Sequence, residues 1–331
     1  MRAIFMGTPE LAVPTLEALV EVCRAQGGDV VGVVCQPDRP AGRGMHVSAP
    51  PVKVRAQALG LEVLQPIKVR DGALAAWMRE RRPDVALVIA YGRILTREVL
   101  DVPRVGCLNV HASILPKFRG AAPIAWAILS GDGETGVDLM RMEEGLDTGP
   151  VLASARLPID PDETAGELGM RVGLLAAQLV RASLIDAIDG KLEPKPQDDS
   201  KATLAPMLKK EDGLIDWRRP ARALHDHVRG MQPWPGAVTT LPSGKTLKLV
   251  RTRVIEGRVA GGVARAPGTI VAADKGGALI ACGPQASEAL AIVEAQPEGK
   301  RAMGAADLVN GRVIALGAIL GARVRSGADE A

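Results

Sequence analysis

Three side chains between positions 109 and 147 have the chemistry of a catalytic site. Residues 105–111 form a mostly apolar run typical of a strand, so Asn109 and His111, two positions apart, should project in the same direction. An amide can donate a hydrogen bond to a developing oxyanion, and an imidazole can donate to that oxygen or relay a proton. Asp147 follows in a tight turn, and a carboxylate beside the imidazole would orient it and favour its charged form.

These groups suit attack on a carbonyl-type carbon. No activated nucleophile accompanies them in the sequence, so we expect the substrate itself to supply the nucleophile. This predicts group transfer to an amine or to water. Asp147 lies 36 positions beyond His111, and we expect Gly145 and Gly149 to let the backbone bend so that the two side chains meet.

The elements that must position these groups are those of a doubly wound α/β fold. The chain begins with an apolar strand, a glycine turn and an amphipathic helix over 11–25, although the dinucleotide fingerprint G-x-G-x-x-G is absent. The apolar run 84–90 predicts a buried parallel strand, and Tyr91 follows it. The Tyr91 ring is either ligand-facing or simply buried. Ligands of such sheets bind at the carboxyl ends of the strands, where Asn109 and His111 are expected.

The length of 331 residues predicts two domains, because single cores tend to split beyond roughly 250–300 residues. We expect a catalytic domain over 1–190, a polar linker over 191–208 and a second domain over 209–331. In the second domain five short apolar runs separated by turn residues predict a small β-barrel.

Composition excludes several classes of protein. The apolar fraction of 47% argues against global disorder, and the lack of a long uncharged apolar run predicts no membrane span. The four cysteines are scattered without metal-ligand spacing, which indicates a reducing cytoplasm and no metal site.

Charge is distributed unevenly along the chain. Residues 201–331 hold 19 Lys and Arg against 12 Asp and Glu, a net of +7, whereas residues 1–200 hold 22 against 26, a net of −4. A basic second half indicates either a polyanionic partner or merely a soluble domain. Without aromatic stacking platforms, any nucleic-acid binding should be directed at the backbone and sensitive to salt.

Four segments in combination resemble the signature of the 10-formyltetrahydrofolate-dependent formyltransferases: Asn109-Val110-His111, Ser113-Ile114-Leu115-Pro116, Arg119-Gly120-Ala121-Ala122-Pro123-Ile124 and Asp147-Thr148-Gly149. The resemblance implies an N-terminal Rossmann-like formyltransferase domain and a smaller C-terminal OB-like barrel. It further implies 10-formyltetrahydrofolate as co-substrate, no metal, and the α-amine of initiator methionyl-tRNA as acceptor in translation initiation. The protein would be a cytoplasmic monomer with no membrane partner.

The same resemblance assigns roles to residues. Catalysis would fall to Asn109, His111 and Asp147. The folate would contact Tyr91, Gly92, Ile94, Ser113, Ile114, Leu115, Pro116 and Asp147. The tRNA would contact Arg39 and Arg43. Independently of the resemblance, the charge of one β-like stretch predicts phosphate contacts at Lys245, Lys248 and Arg251, with a solvated strand face as the alternative, and Lys209 and Lys210 are further candidates for tRNA contact. Arg119 and Lys117 would meet the folate tail or the tRNA backbone.

The sequence departs from the family pattern at a few positions. Met45 and His46 stand where lysines are common, Asp138 where threonine is usual, and Gln232 where asparagine is usual. Trp217 and Trp234 are expected to be packing residues.

Other functions remain open from the sequence. Formyltransferases acting on amino-sugar nucleotides share most of the architecture. Glycinamide ribonucleotide formyltransferases are shorter, and formyltetrahydrofolate hydrolases and dehydrogenases place water where the amine would be. A non-catalytic RNA-binding protein on the same fold is a further alternative, against which the intact Asn109, His111 and Asp147 argue.

Overall fold

The chain forms two compact units, seen in a computed structural model that describes residues 1–41, 46–255, 265–274 and 277–321. The first unit comprises residues 1–127, 134–159 and 167–207, and the second comprises 128–133, 160–166 and 208–331. The domain boundaries expected from the sequence stay a prediction.

Strands and helices alternate through most of the first 207 residues. The strands are β1 (Arg2–Gly7), β2 (Asp29–Val34), β3 (Arg39–Ala41), β4 (His46–Ser48), β5 (Val63–Leu64), β6 (Val85–Ile89), β7 (Cys107–His111), β8 (Arg119–Gly120), β9 (Glu134–Arg141), β10 (Val151–Pro158) and β11 (Leu204–Ala205). The helices are α1 (Val13–Ala25), α2 (Pro51–Ala58), α3 (Ala73–Arg81), α4 (Arg97–Leu100), α5 (Pro123–Leu129) and α6 (Ala165–Ile188).

Seven of these strands form one sheet in the order β10-β9-β7-β6-β1-β2-β5. The five strands β5, β2, β1, β6 and β7 are parallel to one another. Strand β9 pairs antiparallel with β7, and β10 pairs antiparallel with β9, so β10 runs in the same direction as the parallel strands. The strand order reverses between β1 and β6, which is the arrangement that defines a doubly wound fold. The expected α/β fold with a largely parallel sheet is confirmed.

Sequence and burial agree along the central strands. All five residues of β6 and all five of β7 are buried, as expected for parallel strands covered on both faces. Because β7 lies between β6 and β9, its carboxyl end is held on both sides by backbone hydrogen bonds. The strand that carries Asn109 and His111 is therefore a rigid support.

Helix α6 is the one helix among the described residues that is long and apolar enough to cross a membrane, but half of its most apolar window is buried within the protein. A core helix of a soluble protein passes the same test. Gly173 lets α6 lie against the chain at Leu11, because a Cβ at Gly173 would overlap the Leu11 carbonyl oxygen.

The second unit contains strands β12 (Ala237–Thr240), β13 (Thr246–Ile255), β14 (Ile270–Asp274), β15 (Gly277–Cys282), β16 (Glu288–Pro297) and β17 (Met303–Gly304), with helices α7 (Ala221–Gly230) and α8 (Ala305–Asn310). The sheet order is β12-β13-β16-β15-β14, and β17 pairs with β16. Among the described residues this antiparallel sheet does not close, so the expected barrel is not confirmed.

The segment from 191 to 207, expected as a linker, is tied to the first unit. Strand β11 pairs in parallel with β8, and Lys195 forms an antiparallel bridge with Val151. The Trp126 indole N–H donates to the Pro206 carbonyl at 2.9 Å. These contacts place the segment against the carboxyl-terminal side of β7, where the candidate site lies.

Candidate active site

The structure brings together Asn109, His111 and Asp147. Asn109 and His111 are 9% and 5% exposed at the end of β7. The Asn109 Nδ2 lies 3.5 Å from Asp147 Oδ1, and the His111 Nδ1 lies 3.6 Å from Asp147 Oδ2. One carboxylate thus faces both the amide and the imidazole, each across a long contact.

Asp147 itself adopts the left-handed conformation, with φ of 53°. The sequence led us to expect that the neighbouring glycines supply the bend, but the structure gives them another role. A Cβ at Gly149 would overlap the Arg141 carbonyl oxygen, and a Cβ at Gly145 would overlap the Thr148 hydroxyl. The glycines provide space, and Asp147 carries the strain, which costs on the order of 1 kcal/mol.

Two groups that the sequence gave no reason to select hold Asp147 in place. The Gly120 backbone N–H donates to Asp147 Oδ2 at 2.8 Å. The Gln197 side-chain amide donates to the carbonyl oxygens of Asp147 and Gly149 at 2.8 and 2.7 Å. Gln197 lies 50 residues beyond Asp147 in a polar segment without periodicity, so no local pattern marks it.

Arg119 supports this arrangement from behind. Its guanidinium donates twice to Gln197 Oε1, at 3.0 and 2.8 Å, and pairs with Asp199 at 2.7 Å. Arg119 is 7% exposed. The expectation that it meets a folate tail or tRNA is therefore wrong, because its side chain is buried and fully engaged within the protein.

The imidazole of His111 is held at both nitrogens. Its Nε2 lies 3.0 Å from the Phe118 carbonyl oxygen, and its Nδ1 faces Asp147. A carbonyl oxygen only accepts, so Nε2 carries a proton in this arrangement. The proton that can be exchanged is therefore the one on the Nδ1 side, towards Asp147.

Asp138 lies directly beside this group. It is opposite His111 in the antiparallel register of β7 and β9 and is 1% exposed. Its Oδ2 accepts from the Leu115 backbone N–H at 2.7 Å. Burial raises the pKa of the Asp138 carboxyl, against hydrogen bonds from Ser154 and Leu115 that lower it.

The segments expected to contact folate border the same end of the sheet. Ser113 is fully buried and donates to the Lys117 carbonyl at 2.6 Å, whereas Gly92 and Ile94 are exposed. Leu115 is buried, and Ile114 and Pro116 are half-buried. These folate contacts stay predictions.

Tyr91 packs into the core, with its ring 2% exposed. Burial raises the pKa of its hydroxyl to about 12. Of the two expectations for this ring, the structure favours the buried one. The Tyr91 carbonyl accepts from the Thr8 hydroxyl at 3.1 Å and from the Gln36 side-chain amide at 3.0 Å.

The residues expected to contact tRNA are less organised. Arg39 is exposed and donates to Gln36 Oε1 at 2.9 Å, and Arg43 and Met45 lie outside the described residues. Five further cations have exposed side chains: Lys209, Lys210, Lys245, Arg251 and Arg253. Lys248 is half-buried, and its Nζ lies 3.3 Å from the Pro233 carbonyl oxygen. The irregular register of β13 between 249 and 252 leaves Arg251 and Arg253 out of the packed face.

The two tryptophans expected to pack behave differently. Trp217 is 4% exposed and donates to Thr239 Oγ1 at 3.0 Å, as expected for a packing residue. Trp234 is 58% exposed, so its expected packing role is wrong. Trp234 lies between two prolines in a turn over 231–235, and its indole is on the surface of the second unit.

The described residues near the site offer no activated nucleophile. The Ser113 hydroxyl is committed to a carbonyl, and burial raises the pKa of the Cys107 thiol to about 12. No cluster of His, Cys, Asp and Glu that could hold a metal occurs in the described part of the chain. The arrangement can stabilise an oxyanion and move a proton, and the nucleophile must come from a substrate.

The chain belongs to the formyl transferase family: the family's sequence model for the catalytic domain matches residues 1–183, and its C-terminal domain model matches residues 207–313. Its relatives include the "Methionyl-tRNA formyltransferase" of Sorangium cellulosum, 56% identical over 97% of this chain and 100% of the relative. A protein of that name from Myxococcus xanthus is 48% identical over 96% of each chain. The resemblance drawn from the four sequence segments is confirmed.

Solved structures support the fold. The sugar 3N-formyl transferase WlaRD, in a crystal with dTDP and 5-N-formyl-THF, superposes with a TM-score of 0.65 over 91% of this chain and 99% of that chain, at 15% identity. HypX from Aquifex aeolicus, in complex with tetrahydrofolic acid, gives a TM-score of 0.59 over 96% of this chain and 48% of that chain, at 18% identity.

Proposed function

We propose that the protein transfers the formyl group of 10-formyltetrahydrofolate to the α-amino group of initiator methionyl-tRNA. The observation that carries this proposal is the meeting of Asn109, His111 and Asp147 at the end of β7, in a chain with full-length relatives named as methionyl-tRNA formyltransferases. The absence of an activated nucleophile near the site, among the described residues, agrees with an attacking amine supplied by the acceptor.

The reaction forms a bond between the methionine nitrogen and the formyl carbon and breaks the bond from that carbon to the folate nitrogen. Asn109 is placed to donate its amide N–H to the formyl oxygen as negative charge develops there. Asp147 orients the His111 ring through Nδ1, and the pair accepts the amine proton and returns it to the leaving nitrogen. Phe118 fixes the opposite edge of the ring.

The folate is proposed to lie along the two segments that border β7. The exposed residues Gly92 and Ile94 line one side, and the segment Ser113–Ile114–Leu115–Pro116 lines the other. Asp147 contributes from the facing turn. Tyr91 takes part through its backbone, since its ring is buried.

The tRNA is proposed to bind through phosphate contacts with scattered cations. The candidates are Arg39, Arg43, Lys209, Lys210, Lys245, Lys248 and Arg251, and a contribution from the basic second half predicts binding that weakens as salt is raised. An OB-like architecture for the second domain, a monomeric state and a cytoplasmic location belong to the same proposal.

One assay separates this function from the alternatives. Formyl transfer is measured to methionyl-charged initiator tRNA, to an amino-sugar nucleotide, to glycinamide ribonucleotide and to water. We expect transfer to the charged tRNA to exceed the other three by orders of magnitude. Preferred transfer to the sugar nucleotide would overturn the proposal and assign an amino-sugar nucleotide as the acceptor.

A further inference from the structure

Asp138 is a buried carboxyl that the proposed reaction does not use. Its Oδ2 accepts a short hydrogen bond from the Leu115 N–H, and its Oδ1 has no hydrogen-bond partner in the described structure. We propose that Asp138 is a positioning residue: its carboxylate fixes the segment 113–116 over β9 and so sets the affinity of the site for the folate co-substrate. This inference rests on the proposed function, because the folate is expected to lie on that segment.

Strand β9 holds the segment 113–116 at two points on one face. Gly136 and Asp138, two positions apart, project in the same direction. The Ile114 Cδ1 occupies the space that a Cβ at Gly136 would need, and Leu115 is tied by its N–H to Asp138. An apolar seat and a charged tether therefore fix two consecutive residues of the segment.

The tether has the strength of a charged hydrogen bond. A carboxylate accepts a hydrogen bond about twice as strongly as a neutral oxygen does. An asparagine at 138 retains an oxygen to accept from Leu115 but loses the charge. It is therefore a near-isosteric variant that weakens the tether without removing it.

Two neighbouring strands present titratable or charged side chains to Asp138: His111 on β7 and Arg156 on β10. The Leu115 backbone N–H and the Ser154 hydroxyl add hydrogen bonds from neutral groups. Burial raises the pKa of the carboxyl against the hydrogen bonds from Ser154 and Leu115 and the weaker effects of His111 and Arg156. As pH falls, Asp138 becomes neutral before an exposed aspartate would, and the tether weakens to the strength that asparagine gives.

The test is calorimetric binding of 5-formyltetrahydrofolate between pH 5 and pH 8.5. We compare the wild type, Asp138→Asn and the exposed-acid control Glu80→Gln, a residue of α3 with a side chain 78% exposed. At pH 8 we expect Asp138→Asn to bind about fivefold more weakly, the difference between a charged and a neutral acceptor. The ratio of the two affinities should fall towards one as the pH is lowered, and the control should follow the wild type throughout.

A positioning role also predicts a kinetic split. In formyl transfer, Asp138→Asn should raise KM for the folate about fivefold and leave kcat within about twofold. An affinity ratio that does not change with pH would make Asp138 a merely structural residue and overturn the inference. Equal affinities at pH 8 would overturn it as well.

A second variant keeps the inference testable if Asp138→Asn does not fold. Ile114→Val removes the Cδ1 methyl that fills the space beside Gly136 and leaves the Asp138 carboxylate in place, so it should weaken folate binding by a factor that is constant with pH. Unchanged binding in Ile114→Val would show that the position of the segment does not set the affinity. Failure of the wild type to bind folate at all would instead overturn the proposed function together with the inference.

Discussion

Two buried polar clusters in this protein differ in how tightly their members are paired. At the end of β7, the contacts of Asp147 with Asn109 and His111 are 3.5 and 3.6 Å long. On helix α7 in the second unit, Arg229 donates to Asp226 at 2.9 and 2.8 Å. Arg229 also donates to the Asp160 carbonyl at 3.2 Å.

The backbone conformation also differs between the two clusters. The α7 cluster lies on a regular helix, whereas Asp147 and the neighbouring Phe118 have φ of 53° and 61°. In enzymes, long contacts on a strained backbone are typical of an active site in which the hydrogen bonds tighten when substrate binds. Short contacts on a regular element stabilise the fold. The comparison separates a working site from a structural network that is more deeply buried.

The largest expected effect is a loss of stability when the α7 cluster is changed. Arg229→Ala removes the buried partner of Asp226 and leaves it only the contact with the exposed Arg222, so it should lower the free energy of unfolding by up to about 3–5 kcal/mol, measured by urea denaturation. Arg222→Ala is the matched control, because Arg222 contacts the same carboxylate at 3.2 Å from a side chain 55% exposed. It should cost less than about 1 kcal/mol. Equal losses in both variants would show that burial does not distinguish the two pairs.

Asn109→Ala should affect the candidate active site and lower catalysis more than stability. Loss of one oxyanion donor is expected to lower kcat by a factor of about 10²–10³, corresponding to about 3 kcal/mol of barrier, in a formyl transfer assay. The loss in unfolding free energy should be smaller, because the amide makes one long contact. Asn310→Ala, at an exposed position, should change neither quantity. Near-normal turnover in Asn109→Ala would remove this residue from the mechanism.

Gly149→Ala should affect both properties, because this glycine gives space to the strained turn. The added methyl overlaps the Arg141 carbonyl and should cost about 1–3 kcal/mol in stability while lowering kcat through displacement of Asp147. Gly133→Ala, where a Cβ meets open space, is the control. Full activity in a destabilised Gly149→Ala would show that the chemistry tolerates a displaced turn.

The smallest effect is a pH dependence of stability in the second unit. Burial lowers the pKa of His227, which also lies 3.3 Å from the positive Arg219, against weaker opposing effects of Gly213 and Asp212. The fold therefore favours neutral His227. Its contribution is fully present above the usual histidine pKa of about 6.5 and is lost as pH falls from there through the lowered folded value.

Thermal denaturation from pH 8 to pH 5 measures this contribution. The wild type should lose up to about 1.4 kcal/mol per pH unit from this group, and His227→Gln should lose correspondingly less over the same range. Parallel curves for the two proteins would assign the acid sensitivity to other groups.

The sequence predicted the parts of this protein that depend on local pattern. The apolar run before His111 marked β7, and the two-residue spacing placed Asn109 and His111 on one side of it. Gln197 and the burial of Arg119 were not predictable, because both depend on the pairing of β8 with β11 across about 85 residues of chain, which no local periodicity encodes. The exposure of Trp234 likewise depends on tertiary packing, since aromatic residues are usually buried by default.

The pairing of β11 with β8 bears on where the chain can be divided. A fragment ending near 190 would retain Asn109, His111 and Asp147 and yet lack both Gln197 and the strand that flanks Gly120. An isolated catalytic half must therefore be cut after Met207, where the first unit ends, to keep its turn at Asp147 intact.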